Sequence, residues 1–145
     1  MKAYKALPDQ SLRLFRPHLN AARLQNSMKR LHMPGHDFDV DEFVNCIKEL
    51  VKLDSKWIPT GEGYSLYLRP NVIATDECLG LSSTSSIMLY VVTSPVGPYY
   101  KSGFKPVRLR SENRYVRAWP GGTGYAKIGG NYAPAMKPTA EAAAH

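Results

Sequence analysis

The alternation of apolar and polar residues near the start of the chain predicts a β-hairpin. Residues 3–7 and 12–15 alternate loosely, and the residues between them, Pro8-Asp9-Gln10-Ser11, are typical of a turn. An isolated two-stranded hairpin is only marginally stable in water. We therefore expect further strands beside these two, and further sequence upstream of Met1.

The next two segments have the spacing of helices. Pro17 suits the first turn of a helix, and apolar residues recur three and four positions apart after it until Pro34-Gly35 ends the pattern. A second helix is predicted to follow Asp39, because an acidic N-cap with Glu42 three residues later is a variant of the capping box. The apolar stripe of this second helix consists of Phe43, Cys46, Ile47, Leu50 and Val51.

The middle of the chain is predicted to be β-structure. Residues 64–69 alternate, and residues 72–74 continue the pattern past Pro70, which implies an edge position or a bulge. Residues 85–93 form the most apolar stretch and predict a buried central strand. Helices and strands in separate blocks predict an α+β fold.

The last third of the chain has the pattern of a second unit. Residues 95–103 are rich in proline, glycine and tyrosine and are a candidate linker. A strand is predicted at 107–110, followed by a glycine-rich stretch at 121–131 and a helix at 133–145.

Charge gives only weak support to nucleic-acid binding. The chain has 19 lysines and arginines against 12 acidic residues, a net charge of +7, and 43% of its residues are hydrophobic, enough for the core of one domain. Only residues 105–117, with five basic residues, approach a basic stripe, and Val107, Leu109 and Tyr115 interrupt it. Since no known binding motif accompanies this stripe, a basic nucleic-acid binder is the weakest of the alternatives.

The sequence contains no signal for a membrane span, for secretion or for a metal site. No window approaches the ~18 apolar residues of a membrane span. Cys46 and Cys78 are too few for a disulfide framework. His32 and His36 are separated by Pro34-Gly35, so they do not share a helix face. We therefore expect an intracellular protein without a metal, and without a membrane or nucleic-acid partner.

One lysine in the glycine-rich stretch is a candidate for covalent chemistry. Lys127 lies between glycines but is preceded by Ala126 and followed by Ile128, which does not match a phosphate-binding P-loop. Glycines on both sides suggest a bulky planar group packed against the backbone. A partly desolvated lysine there would have a lowered pKa and react as a nucleophile with an aldehyde. Alternatively, the stretch is a surface turn with an incidental lysine.

Residues 121–134, GGTGYAKIGGNYAP, resemble the lysine segment of the branched-chain amino acid aminotransferases, pyridoxal-phosphate enzymes of the class IV fold. The resemblance covers essentially the whole chain. Tyr67-x-Arg69 and GGNY favour this subgroup over D-amino acid aminotransferases and aminodeoxychorismate lyases. Further similar segments, in the family's order, are residues 14–17 with Leu19-Asn20 and Arg23, residues 65–70, 79–81 and 95–99.

The resemblance implies a role for each of eight residues. Lys127 would form a Schiff base with pyridoxal 5′-phosphate and carry the proton between the substrate and the cofactor. Arg23 would bind the cofactor phosphate, and Tyr132 its phenolic oxygen. Tyr67, Arg69 and Tyr99 would shape the substrate pocket, which Leu79 and Leu81 would close from the other subunit of a homodimer.

The resemblance also implies an architecture and a reaction. Residues 1–96 would form part of a small domain with an antiparallel sheet and two helices, 97–106 an interdomain linker, and 107–145 the start of the large domain. The reaction would move the amino group of leucine, isoleucine or valine to 2-oxoglutarate, in the cytoplasm or the mitochondrial matrix. The acidic partner of the pyridine nitrogen would lie downstream. An inactive fragment or partner-binding domain of the same family is the alternative.

Overall fold

The computed structural model describes residues 1–7, 9–100, 102–103 and 105–144, which fall into two compact units, Met1–Phe104 and Lys105–His145. Four residues of the predicted turn, linker and last helix lie outside the described residues: Pro8, Lys101, Phe104 and His145.

The first unit contains a four-stranded antiparallel sheet of order β2-β1-β3-β4. The strands are β1 (Lys2–Lys5), β2 (Leu12–Leu14), β3 (Ser65–Ala74) and β4 (Ile87–Val96). Ala3 lies opposite Leu14 on one side and Leu66 on the other. The predicted hairpin is therefore confirmed, and a third strand flanks it as expected.

Two helices follow the hairpin at the predicted places. Helix α1 (Pro17–Arg30) has proline in its first turn, and helix α2 (Val40–Leu53) has Asp39 as its N-cap. The Asp39 carboxylate accepts hydrogen bonds from the backbone N–H groups of Asp41, at 2.8 Å, and Glu42, at 3.0 Å. These bonds satisfy two donors that the helix itself leaves unpaired.

We expect Asp39→Ala to lower the free energy of unfolding of the first unit by about 1 kcal/mol, because both N–H groups lose their acceptor. Urea unfolding followed by circular dichroism measures this loss. The control is Asp37→Ala, which removes the same charge from an exposed carboxylate just before the cap. Equal losses for the two variants would show that the cap contributes nothing beyond its charge.

The core lies between the two helices and the first half of the sheet. Its buried members come from every one of these elements: Ala3, Ala21, Phe43, Ile47, Val51, Ile58, Leu66 and Leu68. The predicted stripe of α2 is wrong at Cys46, which is exposed, and it omits Val44, which is buried. Successive helix residues are turned by about 100°, so Cys46 points away from the face that Ile47 presents.

Strands β3 and β4 pair over ten residues each, from Ser65 opposite Val96 to Ala74 opposite Ile87. Strand β3 continues through Pro70, which lies opposite Val91, without a bulge. Since β1 pairs with β3 only at Leu66 and Tyr67, Pro70 lies where β3 has a neighbouring strand on one side among the described residues. The predicted edge position of this proline is confirmed.

The predicted burial of residues 85–93 is wrong, although the strand itself is confirmed. Within the described part of the chain, β4 is an edge strand, and Met88, Leu89, Tyr90 and Val92 are exposed. Composition alone reports how apolar a segment is. Burial also requires a covering layer, and the core helices pack over β1 and the first half of β3 instead.

The second unit consists of turns followed by helical structure. A 3₁₀-helix (Gly129–Ala135) leads into α3 (Met136–Ala143). The predicted helix at 133–145 is thus confirmed with a later start. The predicted strand at 107–110 is wrong: these residues are irregular, because a strand needs a partner and the described part of this unit contains no other strand.

An ion-pair cluster fastens α3 to the irregular segment before it. The Arg114 guanidinium contacts the carboxylates of Glu112, at 3.1 Å, and Glu141, at 2.7 Å. Hydrogen bonds from Arg114 lower the pKa of Glu112 from 4.5 to about 2. Stabilisation from this carboxylate is therefore present above its ordinary pKa and is lost as the pH falls toward 2.

None of the described helices has the length and hydropathy of a membrane span.

Candidate active site

Lys127 and Tyr132 form a hydrogen-bonded pair in the second unit. The Lys127 Nζ donates to the Tyr132 hydroxyl at 2.7 Å, and the same Nζ lies 5.3 Å from the centroid of the tyrosine ring. Both side chains are exposed. An amine that reactants can reach and a phenol that is already hydrogen-bonded to it are the two groups that the resemblance assigns to the cofactor.

The local fold explains how residues five apart come into contact. Lys127 ends the glycine-rich turns, and Tyr132 lies in the 3₁₀-helix that follows. Between them, the buried Asn131 donates from Nδ2 to the carbonyl oxygens of Thr123 and Ala126, at 2.8 Å each. Its Oδ1 accepts from the Thr123 hydroxyl at 2.7 Å. Asn131 was not among the predicted site residues.

A second cation lies against the same tyrosine ring. The Arg117 guanidinium carbon is 5.9 Å from the Tyr132 ring centroid, within the range of a cation–π contact. Arg117 was also not predicted. Its one signal in the sequence is that it ends the basic segment 105–117. That segment was interpreted as an alternating strand and loop because apolar residues interrupt it.

The chain itself supplies the close neighbours of two glycines. A Cβ at Gly122 would lie 3.1 Å from the Trp119 carbonyl oxygen and 3.3 Å from its indole nitrogen, and one at Gly124 would overlap Ala118. The space that a Cβ would fill at Gly122 is thus occupied by Trp119 of the chain itself. The predicted desolvation of Lys127 is wrong, since the side chain is exposed and only its neighbour Ala126 is buried.

In the first unit, the structure places three predicted polar residues on regular elements. Arg23 is exposed on α1 and donates to the Asn20 side-chain oxygen at 2.7 Å. Tyr67 and Arg69 are two apart on β3, which puts them on one face of the strand. The Arg69 guanidinium carbon lies 5.2 Å from the Tyr67 ring centroid. Tyr67 and Arg69 are therefore brought together.

The predicted apolar residues lie outside the core. Leu79 and Leu81 are completely exposed in the segment between β3 and β4, with relative exposures of 104% and 108%. Tyr99 is also exposed, and its ring meets Tyr100 edge-on at 4.9 Å between centroids. Neither leucine therefore contributes to the core of the described chain.

The base of the leucine segment is held by one carboxylate. Asp76 accepts hydrogen bonds from the Ser85 backbone N–H at 2.9 Å, from the Ser85 hydroxyl at 2.6 Å and from the Ser86 backbone N–H at 3.2 Å. The Thr84 hydroxyl donates to its other oxygen. Bonds from Ser85 and Thr84 hold the pKa of Asp76 far below its usual value.

Other features of the structure lie apart from the predicted residues. A groove of about 370 Å³ in the first unit is lined by β2, α2 and Pro17, and contains none of the predicted site residues. Within the described residues, no group of three histidine, cysteine or acidic side chains could hold a metal ion. Cys46 and Cys78 are thiols that form no disulfide.

The chemistry of these side chains fits pyridoxal phosphate. Its aldehyde requires a reachable primary amine, which Lys127 provides, and its phenolic oxygen a hydrogen-bond partner, which the Tyr132 hydroxyl provides. In the first unit, taken by itself, Arg23 presents an exposed guanidinium, a group that suits a phosphate.

Comparison with known proteins identifies relatives that align with nearly the whole chain. No protein-family model matches the chain. Over 144 residues it is 54% identical to a branched-chain-amino-acid aminotransferase of Monosiga brevicollis, covering 99% of this chain and 36% of that protein. Over 143 residues it is 51% identical to the enzyme of that name from Dictyostelium discoideum, covering 99% and 37%.

A relative from Schizosaccharomyces pombe is 49% identical over 146 residues, covering 99% of this chain and 33% of that protein, and is named as mitochondrial. One from Caenorhabditis elegans is named as cytosolic. The chain spans about a third of the length of the curated relatives it matches. Through identity of this degree along nearly its whole length, the chain is homologous to part of proteins named branched-chain-amino-acid aminotransferases.

Proposed function

We propose that this chain carries the lysine segment of an aminotransferase that moves the amino group of leucine, isoleucine or valine to 2-oxoglutarate. The observation that carries the proposal is the Lys127–Tyr132 pair, 2.7 Å apart. The pair lies in a segment where the chain aligns with proteins named branched-chain-amino-acid aminotransferases. Bound pyridoxal phosphate supplies an aldehyde for the lysine and an electron sink for the substrate carbon.

Each residue of the pair has a distinct task in this proposal. The Lys127 amine would hold the cofactor covalently between turnovers and, once released, would carry a proton to and from the reacting carbon. The Tyr132 hydroxyl, which already accepts a hydrogen bond from the Lys127 amine, would donate to the phenolic oxygen of the cofactor and orient the amine. Arg23 would bind the phosphate through its planar guanidinium.

The first unit is proposed to bind the substrates. Tyr67, Arg69 and Tyr99 shape the pocket, and the Arg69 guanidinium, stacked on Tyr67, suits a substrate carboxylate. Leu79 and Leu81 reach from the other subunit of a homodimer to cover an aliphatic side chain, which is consistent with their full exposure here.

We propose residues 1–96 as the small domain, 97–106 as the linker and 107–145 as the start of the large domain. The proposed location is the cytosol or the mitochondrial matrix.

The test is to trap the cofactor on the chain. When amine and aldehyde condense, water leaves, and borohydride reduces the product to a stable secondary amine. Peptide mass spectrometry then locates the adduct. We expect it on Lys127 in at least about tenfold excess over Lys105, an exposed lysine of the same unit, since of these two lysines it is Lys127 whose amine is hydrogen-bonded to a phenol.

A leucine and 2-oxoglutarate assay on the same preparation separates the two family alternatives. Selective trapping together with transamination supports the proposed function. Selective trapping without transamination supports the inactive fragment or partner-binding domain. Adducts spread evenly over the lysines would contradict a cofactor site at Lys127.

A further inference from the structure

The side chain that ties the lysine segment together is the buried amide of Asn131. Only 5% of this residue is exposed, while Tyr132 beside it and Lys127 four positions earlier are both exposed. A buried polar side chain is stable only when its hydrogen-bonding groups are satisfied. The residue at position 131 therefore has to be one whose side chain can satisfy the hydrogen-bonding groups around it.

The hydrogen bonds of this amide use both ends of the side chain. A primary amide has two N–H donors, and the two Nδ2 bonds to Thr123 and Ala126 use them both. The Oδ1 accepts from the Thr123 hydroxyl. Both carbonyl oxygens belong to the turn immediately before Lys127, whereas Asn131 belongs to the 3₁₀-helix that carries Tyr132. The amide thus joins the two segments that hold the reactive pair.

We infer that Asn131 is a positioning residue, which fixes the turn at residues 123–126 against the 3₁₀-helix and so keeps the Lys127 amine beside the Tyr132 hydroxyl. This inference rests on the proposed function for the chemical role of Lys127. Its structural content is independent of that role, because the amide bonds and the Lys127–Tyr132 contact lie wholly within the second unit. Misplacing a reacting group by about 1 Å costs about 100-fold in rate, so such a bond network has a direct chemical consequence.

Aspartate at this position is the most informative substitution. Asn131→Asp keeps the shape and the oxygen that accepts from Thr123, but it replaces two donors by an anionic oxygen facing two carbonyl oxygens. Thr123→Val removes one bond and keeps the side-chain shape. Thr123→Ser keeps the hydroxyl and serves as the conservative rescue. Asn113→Asp makes the same chemical change at an exposed asparagine of the same unit and is the matched control.

The experiment has two readouts on the full chain. The first is the ratio of borohydride-trapped pyridoxal phosphate on Lys127 to that on Lys105. The second requires no cofactor: it is the nuclear Overhauser effect between the Lys127 ε-methylene and the Tyr132 ring, whose centroid lies 5.3 Å from the amine. We expect Asn131→Asp to lower the ratio about tenfold or more and to remove the Overhauser effect. Thr123→Val should do so in part, whereas Thr123→Ser and Asn113→Asp should match the parent chain.

Each other outcome has a defined meaning. If Asn131→Asp lowers the unfolding midpoint but leaves the ratio and the Overhauser effect unchanged, Asn131 is a purely structural residue and the inference is overturned. If Asn131→Asp does not fold, the milder Thr123→Val decides by the same criteria. If the parent chain shows no selective adduct, the proposed function fails, and the Overhauser effect alone decides whether Asn131 positions Lys127.

Discussion

Lys127→Ala is expected to remove the pyridoxal phosphate adduct completely and to lower leucine transamination by about four orders of magnitude or more. The physical reason is that a single amine performs both covalent attachment and proton transfer in the proposed mechanism. Lys127→Arg should fail equally, because a guanidinium does not form the imine and stays protonated at every accessible pH. Borohydride trapping and the coupled assay with leucine and 2-oxoglutarate measure the two effects.

The control for this substitution is Lys105→Ala, which removes an exposed lysine from the same unit and should leave both measurements unchanged. Circular dichroism of each variant shows whether the helices persist. Near-normal turnover in folded Lys127→Ala would refute the assignment of Lys127 as the catalytic residue. Loss of activity in both lysine variants would instead point to a general effect of charge.

The elements that the sequence predicted well are those with strong local signals. The hairpin has turn residues between alternating segments, α1 begins at a proline, and α2 begins at a capping carboxylate whose two hydrogen bonds the structure shows. These signals act between residues at most a few positions apart. Their outcome therefore depends little on the rest of the fold.

The errors arose where distant residues decide the outcome. Residues 87–96 form the predicted strand, but its burial depends on what covers it, and the core helices pack elsewhere. Residues 107–110 alternate as a strand does, yet a strand forms only when a neighbour is available to complete its backbone hydrogen bonds. Cys46 was misplaced because a stripe that is one position too wide still satisfies helical spacing.

The candidate site shows the same division. Lys127 and Tyr132 were identified through the similarity of their segment to a family, and the structure adds that they touch, which five residues of separation do not imply. Asn131 and Arg117 were missed because side-chain bonds to loop carbonyls and cation–π contacts leave no periodic pattern in a sequence. A useful signal for Asn131 is its type: an asparagine can satisfy two carbonyls and a hydroxyl at once.

Leu66→Ala is expected to lower the free energy of unfolding of the first unit by about 3 kcal/mol, the range for a leucine removed from a packed core. Leu66 has no exposed surface and lies on β3 between Ala3 of β1 and Pro95 of β4. The truncation leaves a cavity at the point where the sheet meets the helices. Urea unfolding followed by circular dichroism, which reports helices α1 and α2 of this unit, measures the loss.

The matched control is Leu53→Ala at the end of α2, where the leucine is 78% exposed. It deletes the same atoms from a site that is already in water, so we expect a change within about 0.5 kcal/mol. A difference of about 2 kcal/mol or more between the two variants supports a core centred on the first half of β3. Equal losses in the two variants would mean that Leu66 is no better packed than the exposed Leu53, and would contradict a core at the first half of β3.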